Sequence, residues 1–231
     1  MVYAIILAGG IGVRVGADKP KQFIEIKGKP ILVHTLEKFE NHPLIERMIV
    51  VCVEGWEQAV YGYKQKYGLT KLYSVVTGGK NALESIYRGV VNAEAQSNDI
   101  LVIHDGVRPL VDAKSITEVI NDCHLYGGAI SAVPLAEHIL LAGSERSDLK
   151  YLPRENAFRA ITPQAYTLTK ILTAYQKSRE TGKGINSAFI GTLMLDVGEK
   201  VCLSKGSEQN IKITDPKDLS FFKSIIYDDL D

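Results

Sequence analysis

Short apolar runs alternate with amphipathic stretches through the first 134 residues of the chain. Runs rich in β-branched residues occur at Tyr3–Leu7, Met48–Val53, Leu72–Val76, Ile100–His104 and Ala129–Val133. Helix-period stretches lie between them at Leu32–Glu40, Glu57–Tyr67, Ala82–Ala95 and Ser115–Leu125. In Ala82–Ala95 the residues Leu83, Ile86, Tyr87, Val90 and Val91 recur at a spacing that places them on one helical face. This alternation predicts an α/β fold of Rossmann-like type, a mostly parallel sheet with helices on both faces. Ligands of such sheets bind outside the carboxyl ends of the strands, so the loops that follow strands are the places to look for chemistry.

The rhythm breaks after Pro134. "LAEHILLAGSERSDLKYLPRENAF" carries strand-like pieces around a polar turn and no good helical pattern, which predicts a β-arm at about 134–158. An arm that pairs with a second subunit and a surface flap are both open readings of it. Alternation then resumes with a helix from Leu168 capped by Thr167, a strand at Lys200–Ser204 and a last helix opening at "TDPKDL". In that last helix Asp215 suits the N-cap and Pro216 the first helical position. No repeat or flexible linker interrupts the chain, and one domain over residues 1–231 is expected.

Composition narrows the classes. The 27 basic and 27 acidic residues balance, so no chain-wide field favours nucleic acid or an anionic membrane, and local clusters of charge carry the meaning. The three cysteines, Cys52, Cys123 and Cys202, each sit in apolar stretches; they read as packing residues in a reducing cytosol rather than a disulfide framework. The apolar start "MVYAIILAGG" is too short for a membrane span and lacks a basic leader, so a cytoplasmic protein is expected.

Four loops stand out. "LAGGIGVRVGADKPKQF" (Leu7–Phe23) follows the first strand and holds four glycines with Arg14, Lys19 and Lys21. Val15 stands where a dinucleotide fingerprint needs its third glycine, which disfavours a nicotinamide-linked enzyme. Gly16 is followed by Ala17 and Asp18, which excludes a P-loop. What remains is a backbone nest flanked by Arg14 and Lys21, suited to a triphosphate whose α-phosphorus gains negative charge in the transition state. "VIHDGVRP" ends a strand with Asp105 and Arg108; the carboxylate can help place Mg²⁺ or hold a polar acceptor. "AITPQAY" sets the Thr162 hydroxyl before a proline turn, and "QNIKITDPKDL" sets Lys212 in an apolar strand, a costly position unless it meets an edge or an anion. His104 reads as a half-buried structural residue, and His34, His42 and His124 as helix-surface or helix-end residues without metal spacing. Trp56 reads as a packing aromatic.

Together "ILAGGIGVRVG…PKQF", "GKPILVHTLEKF", "TGG…S", "HDGVRP", "TPQAY" and "NIKITDPKDL" resemble the cytidylyltransferases that act on sugar-alcohol phosphates, the methylerythritol-4-phosphate and ribitol-5-phosphate enzymes. The resemblance covers essentially the whole chain. It implies Arg14, Lys21 and Lys212 as the catalytic cations. It implies a nucleotide site of Ala8, Gly9, Gly10, Gly12, Gly79, Ser85, Asp105 and Gly106, with Asp105 also at the metal. Arg108, His138, Arg154 and Thr162 are expected at the acceptor, Arg154 reaching it from a neighbouring subunit of a homodimer built through the arm. The implied partners are CTP and a polyol phosphate, the cofactor Mg²⁺, and the product a CDP-polyol for a surface polymer such as teichoic acid or capsule. The isoprenoid-pathway enzyme is the alternative. A non-catalytic nucleotide-binding relative is a further one, opposed by the retention of Arg14, Lys21 and Lys212.

The chain also departs from that pattern. Ala82 replaces an arginine after the paired glycines, Glu137-His138 replaces an Asp-Thr pair on the arm, and Ala188-Phe189 replaces a Thr-Asp pair. If those positions wall the acceptor pocket, His138 and Phe189 favour a smaller or less hydroxylated acceptor, such as a glycerol phosphate, over methylerythritol phosphate.

Overall fold

The computed structural model describes residues 1–10, 19–145 and 147–228. Its strands in chain order are β1 (Val2–Ala8), β2 (Glu25–Ile26), β3 (Lys29–Pro30), β4 (Arg47–Cys52), β5 (Leu72–Thr77), β6 (Ile100–Asp105), β7 (Gly128–Pro134), β8 (Ile139–Ala142), β9 (Leu149–Leu152), β10 (Phe158–Thr167) and β11 (Cys202–Lys205). The α-helices are α1 (Ile31–Glu40), α2 (Glu57–Lys66), α3 (Ala82–Asn92), α4 (Ala113–Tyr126), α5 (Leu168–Thr181), α6 (Ile190–Asp196) and α7 (Pro216–Asp228). Seven strands form one sheet in the order β11-β7-β10-β6-β1-β4-β5, and only β10 runs antiparallel to its neighbours. The mostly parallel α/β architecture expected from the sequence is therefore present.

Residues of β1 alternate between the two faces of the sheet, and both faces are covered. Ala4, Ile6 and Ala8 join a cluster with Leu32, Leu36 and Phe39 of α1 and Ile116, Val119 and Ile120 of α4. Tyr3 and Ile5 join a second cluster with Leu83, Ile86 and Val90 of α3, Ile171 of α5 and Leu193 of α6. Burial on both sides explains why the strand sequences read as continuous apolar runs. Helix α3 comes so close to the sheet that a Cβ on Gly89 would lie 2.6 Å from Ile5 Cγ2 and 2.9 Å from Val51 Cγ2. Glycine is what lets that helix lie down on the sheet.

Helix starts follow their sequence signals. Asn81 Oδ1 accepts from the Glu84 N–H, Asp112 Oδ1 from Ser115, Thr167 Oγ1 from Lys170, and Asp215 Oδ1 from Lys217 and Asp218. Trp56 packs, its ring stacked on Phe23 with centroids 4.0 Å apart.

Several expectations need correction. The segment at Ala160–Tyr166 is not a proline turn but the middle of β10; the ladder to β7 shifts register between Ala160 and Gln164, where Pro163 has no N–H to give. Lys212 lies on no strand: residues 210–214 run outside any ladder, tied by the Ile213 N–H to Val107 O at 2.9 Å. Helix α6 was not anticipated, and Val91, expected on the buried face of α3, is exposed. His104 is fully rather than half buried, and His42, just past the end of α1, is buried against the Ala113 carbonyl and the Thr117 hydroxyl.

The arm leaves the sheet where β7 ends and returns where β10 begins, at the pair Pro134–Phe158. Its tip is the hairpin β8–β9, with Ile139 opposite Leu152 and Ala142 opposite Leu149. Leu140, Leu141, Leu149 and Tyr151 on this hairpin are all exposed.

Candidate active site

Strand order reverses direction at β1, which lies between β6 and β4, so a crevice opens outside the carboxyl ends of β1 and β6. There Leu7 is in register with Asp105, and the Gly106 N–H donates to Leu7 O at 2.8 Å. A Cβ on Gly106 would sit 2.9 Å from Leu32 Cδ1 and 3.1 Å from Leu7 O, so this turn accepts no side chain.

Two glycine turns meet on one side of the crevice. The position of a Cβ on Gly9 is 3.9 Å from both Gly78 Cα and Ser85 Oγ. Ser85 Oγ accepts from the Gly79 N–H and donates to Asn81 O, both at 2.9 Å. Its hydroxyl shapes the turn after β5 as well as lining it. Arg88 braces the same turn, donating to Gly78 O at 3.0 Å and to Glu84 Oε1 at 2.7 Å, while Glu84 Oε2 accepts from the Lys80 N–H. Ala82 leaves no cation at its own position, and Arg88, on the same helix, is the arginine that holds this turn. The arrangement brings the backbone of the turns after β1 and β5 side by side.

Charge gathers on the other side. Asp105 accepts from Arg108 Nε at 2.8 Å on Oδ2 and from Lys212 Nζ at 3.1 Å on Oδ1. Arg108 also donates to Asn210 O at 2.8 Å, and the Asp105 N–H donates to Thr162 Oγ1 at 3.2 Å. Asn210 Nδ2 donates to Thr162 O at 2.7 Å, and its buried Oδ1 has no partner among the described residues. Burial pulls the Asp105 carboxyl upward, but Lys212 and Arg108 outweigh it and hold the group below its ordinary value, so it is a carboxylate at neutral pH. Burial pushes the neighbouring His104 down to about 3, which keeps its imidazole neutral and unsuited to binding an anion.

Lys21 opens a 3-10 turn, Lys21–Phe23. Its charge acts on Asp218 in the first turn of α7, whose Oδ2 accepts from Thr214 N at 2.7 Å, Thr214 Oγ1 at 2.6 Å and Asp215 N at 3.1 Å. Burial raises the Asp218 carboxyl; the Thr214 and Asp215 hydrogen bonds and Lys21 more than offset this and lower it. One carboxylate therefore anchors the segment that carries Lys212 and answers the charge of Lys21.

Of the expected site residues, the structure brings Asp105, Gly106, Arg108, Thr162 and Lys212 into one cluster, and Ala8, Gly9, Gly10, Gly79 and Ser85 into a second at the neighbouring strand ends. Arg14 and Gly12 lie outside the described residues. His138 and Arg154 are not part of either cluster. Both are exposed on the arm, Arg154 donating to Ala136 O at 3.4 Å and His138 lying 6.3 Å from the Tyr151 ring. Phe189 is the N-cap residue of α6, partly buried and packed against the cluster beneath α3 and α5. Gln22, Asn210 and Asp218 lie within the quoted motifs and Arg88 outside them, but none was singled out as a site residue. Gln22 and Asn210 hold backbone carbonyls distant in sequence, Arg88 a backbone carbonyl ten residues away, and Asp218 the adjacent Thr214–Asp215 turn.

Glycine turns beside converging cations and one carboxylate at a switch point are the arrangement expected of a nucleotidyltransferase. Comparison with known proteins makes the assignment specific. Residues 2–228 match the family described as IspD: 2-C-methyl-D-erythritol 4-phosphate cytidylyltransferase, and the chain belongs to that family. It is 39% identical over 98% of its length to the ribitol-5-phosphate cytidylyltransferase of Lacticaseibacillus paracasei, of which it covers 98%. It is 36% identical, over 94% of the chain and 93% of the relative, to the 2-C-methyl-D-erythritol 4-phosphate cytidylyltransferase of Clostridium acetobutylicum. The 4-diphosphocytidyl-2C-methyl-D-erythritol synthase structure from Anaerococcus prevotii superimposes with a TM-score of 0.84, at 25% identity, over 98% of this chain and 96% of that one. Among the described residues no helix is long and apolar enough to cross a membrane.

Proposed function

We propose that the chain transfers CMP from CTP to the phosphate of ribitol 5-phosphate, releasing pyrophosphate and forming a CDP-polyol. The observation that carries this reading is the convergence of Lys212 and Arg108 on Asp105, across the β1–β6 crevice from the Ala8–Gly10 turn. The preference for ribitol 5-phosphate rests on the full-length similarity to enzymes named for that acceptor.

An oxygen of the acceptor phosphate attacks the α-phosphorus in line. The bond from that phosphorus to the bridging oxygen of the β-phosphate breaks, and pyrophosphate leaves with the electron pair. The attacking phosphate is already an anion near neutral pH, so no general base is required. Lys21, Arg14 and Lys212 supply positive charge where the pentacoordinate phosphorus gains negative charge. Lys212 is suited to this because its side chain is 42% exposed and can turn from Asp105 to a phosphate oxygen. The turns at Gly9–Gly10 and Gly79 offer carbonyls to the amino group of cytosine, with Ser85 holding them in place.

Among the described residues no group of three or more His, Cys, Asp or Glu side chains gathers as a metal cage. A lone carboxylate such as Asp105 nevertheless fits Mg²⁺, which keeps several waters and binds through one or two carboxylates and substrate phosphates. Bound there, Mg²⁺ would neutralise triphosphate charge.

The exposed apolar arm supports a homodimer in which each arm presents Arg154 and His138 to the acceptor side of its partner. The test of function is pyrophosphate release with CTP, Mg²⁺ and a panel of ribitol 5-phosphate, methylerythritol phosphate and glycerol phosphate. The highest kcat/KM is expected with ribitol 5-phosphate. A wide margin for methylerythritol phosphate would make the isoprenoid reaction the correct reading, and no release with any acceptor would refute cytidylyl transfer.

A further inference from the structure

Gln22 is among the most buried polar residues of the chain, with 1% of its surface exposed. Its side-chain amide nitrogen donates to Ala8 O at 2.6 Å and to Gly10 O at 3.0 Å. Those carbonyls flank Gly9, at the end of β1 and the start of the glycine turn. Gln22 also follows Lys21 directly within the same 3-10 turn, and the far side of that turn is fixed by Phe23, buried and stacked on Trp56. One side chain therefore ties the lysine-bearing turn to the backbone at the end of β1.

We propose that Gln22 is a positioning residue for the transfer reaction, setting the distance between Lys21 and the Ala8–Gly10 backbone. The inference rests on the functional reading above, in which Lys21 acts on the α-phosphorus and the glycine turn holds the nucleotide. The two roles need a fixed separation, because misplacing a catalytic group by about 1 Å can cost roughly 100-fold in rate. The amide NH₂ suits this task because it offers two donors on one nitrogen, one for each carbonyl. A glutamate of the same shape would aim carboxylate oxygen at both carbonyls. A methionine would fill the space but give no hydrogen bond.

The test is a double-mutant cycle of Gln22→Met with Lys21→Ala, measured as kcat and as KM for CTP, with near-UV circular dichroism and thermal melting to follow folding. Gln22→Met alone is expected to lower kcat roughly 10- to 100-fold with a smaller change in KM, the scale at which supporting residues tune a site. In the Lys21→Ala background the same change should cost less than about threefold, because a residue that acts through Lys21 has nothing left to position. Full additivity, or wild-type kcat in folded Gln22→Met, would overturn the proposal. If Gln22→Met does not fold, Gln22→Glu enters the same cycle. That variant is expected to recover activity as pH falls and its carboxyl gains a proton to donate; a pH profile parallel to wild type would overturn the proposal equally. These outcomes are separate from the parent reading, which fails if Lys21→Ala retains wild-type kcat.

Discussion

Lys212 Nζ lies 3.1 Å from Asp105 Oδ1, joining residues 107 positions apart in the chain. The pair is half open to solvent on the lysine side, with 42% of that side chain exposed, so its contribution to stability is at most ~1 kcal/mol. Arg108 meets the same carboxylate with only 12% of its side chain exposed. The two cations should therefore separate in experiment. Lys212→Met is expected to leave the melting temperature nearly unchanged while sharply lowering kcat. Arg108→Met leaves a mostly buried carboxylate short of a partner and should destabilise the fold by ~1–3 kcal/mol. Thermal melts beside the pyrophosphate assay distinguish these outcomes, and equal loss of stability in both variants would contradict the assignment.

Lys21→Ala and Arg14→Ala should each act mainly on kcat. Comparable donors to a developing charge are worth roughly 2.7–4 kcal/mol in the transition state, or about 100- to 1,000-fold in rate. Steady-state kinetics with CTP as the varied substrate provide the check. An effect confined to KM would mean that these cations bind ground and transition states alike.

Acid should unfold the protein in part through its histidines. Burial depresses the titration of His104 to about 3 and lowers His34 and His42 as well. Their unfolded counterparts take up protons near pH 6.5, so the unfolded state binds more protons below that value. Through His104, stability is expected to hold above about pH 6.5 and to fall towards about pH 3, by up to ~1.4 kcal/mol per pH unit, with His34 and His42 acting in the same direction. Urea unfolding at neutral pH and near pH 5 would measure the slope. His104→Leu should flatten it, and an unchanged slope would rule out a contribution from that residue.

Aspartates at Ile139, Leu140 and Leu141 are expected to give a monomer. In the isolated chain 58% of Leu140 and 51% of Leu141 is exposed, a liability that a partner arm would remove. Charges there would have to be buried at the interface. Sedimentation velocity reports the assembly state. Loss of activity alongside loss of the dimer would support Arg154 acting in trans, whereas a fully active monomer would exclude it.

The strands that were legible in the sequence are β1, β4, β6 and β7, buried on both faces, whose apolar runs have no other simple explanation, and the edge strand β5, whose β-branched run is only partly buried. Strand β10 was hidden because Pro163 sits in its middle and Arg159 and Gln164 interrupt its pattern; only a register shift makes it compatible with a central position. The alternation in "NIKIT" suggested a strand, yet Ile213 turns into a small cluster under α7 while Lys212 reaches Asp105. For the candidate site, glycines and cations drew attention to these loops because their chemistry is unusual locally. Gln22 and Asn210 lie in the quoted motifs, but their roles could not be read because what they hold is carbonyl oxygen, which every residue has.

The cluster of Ile26, Ile31, Val107, Ile213 and Phe222 is drawn from three widely separated parts of the chain. On the ribosome the β2–β3 hairpin and the start of α1 emerge early, but their cover is synthesised only with α7. Asp218, which anchors the Lys212 segment and faces Lys21, arrives in that same late helix. A nascent chain thus holds Lys21 long before it holds Lys212, and the cluster that seats the Lys212 segment closes only with the last helix.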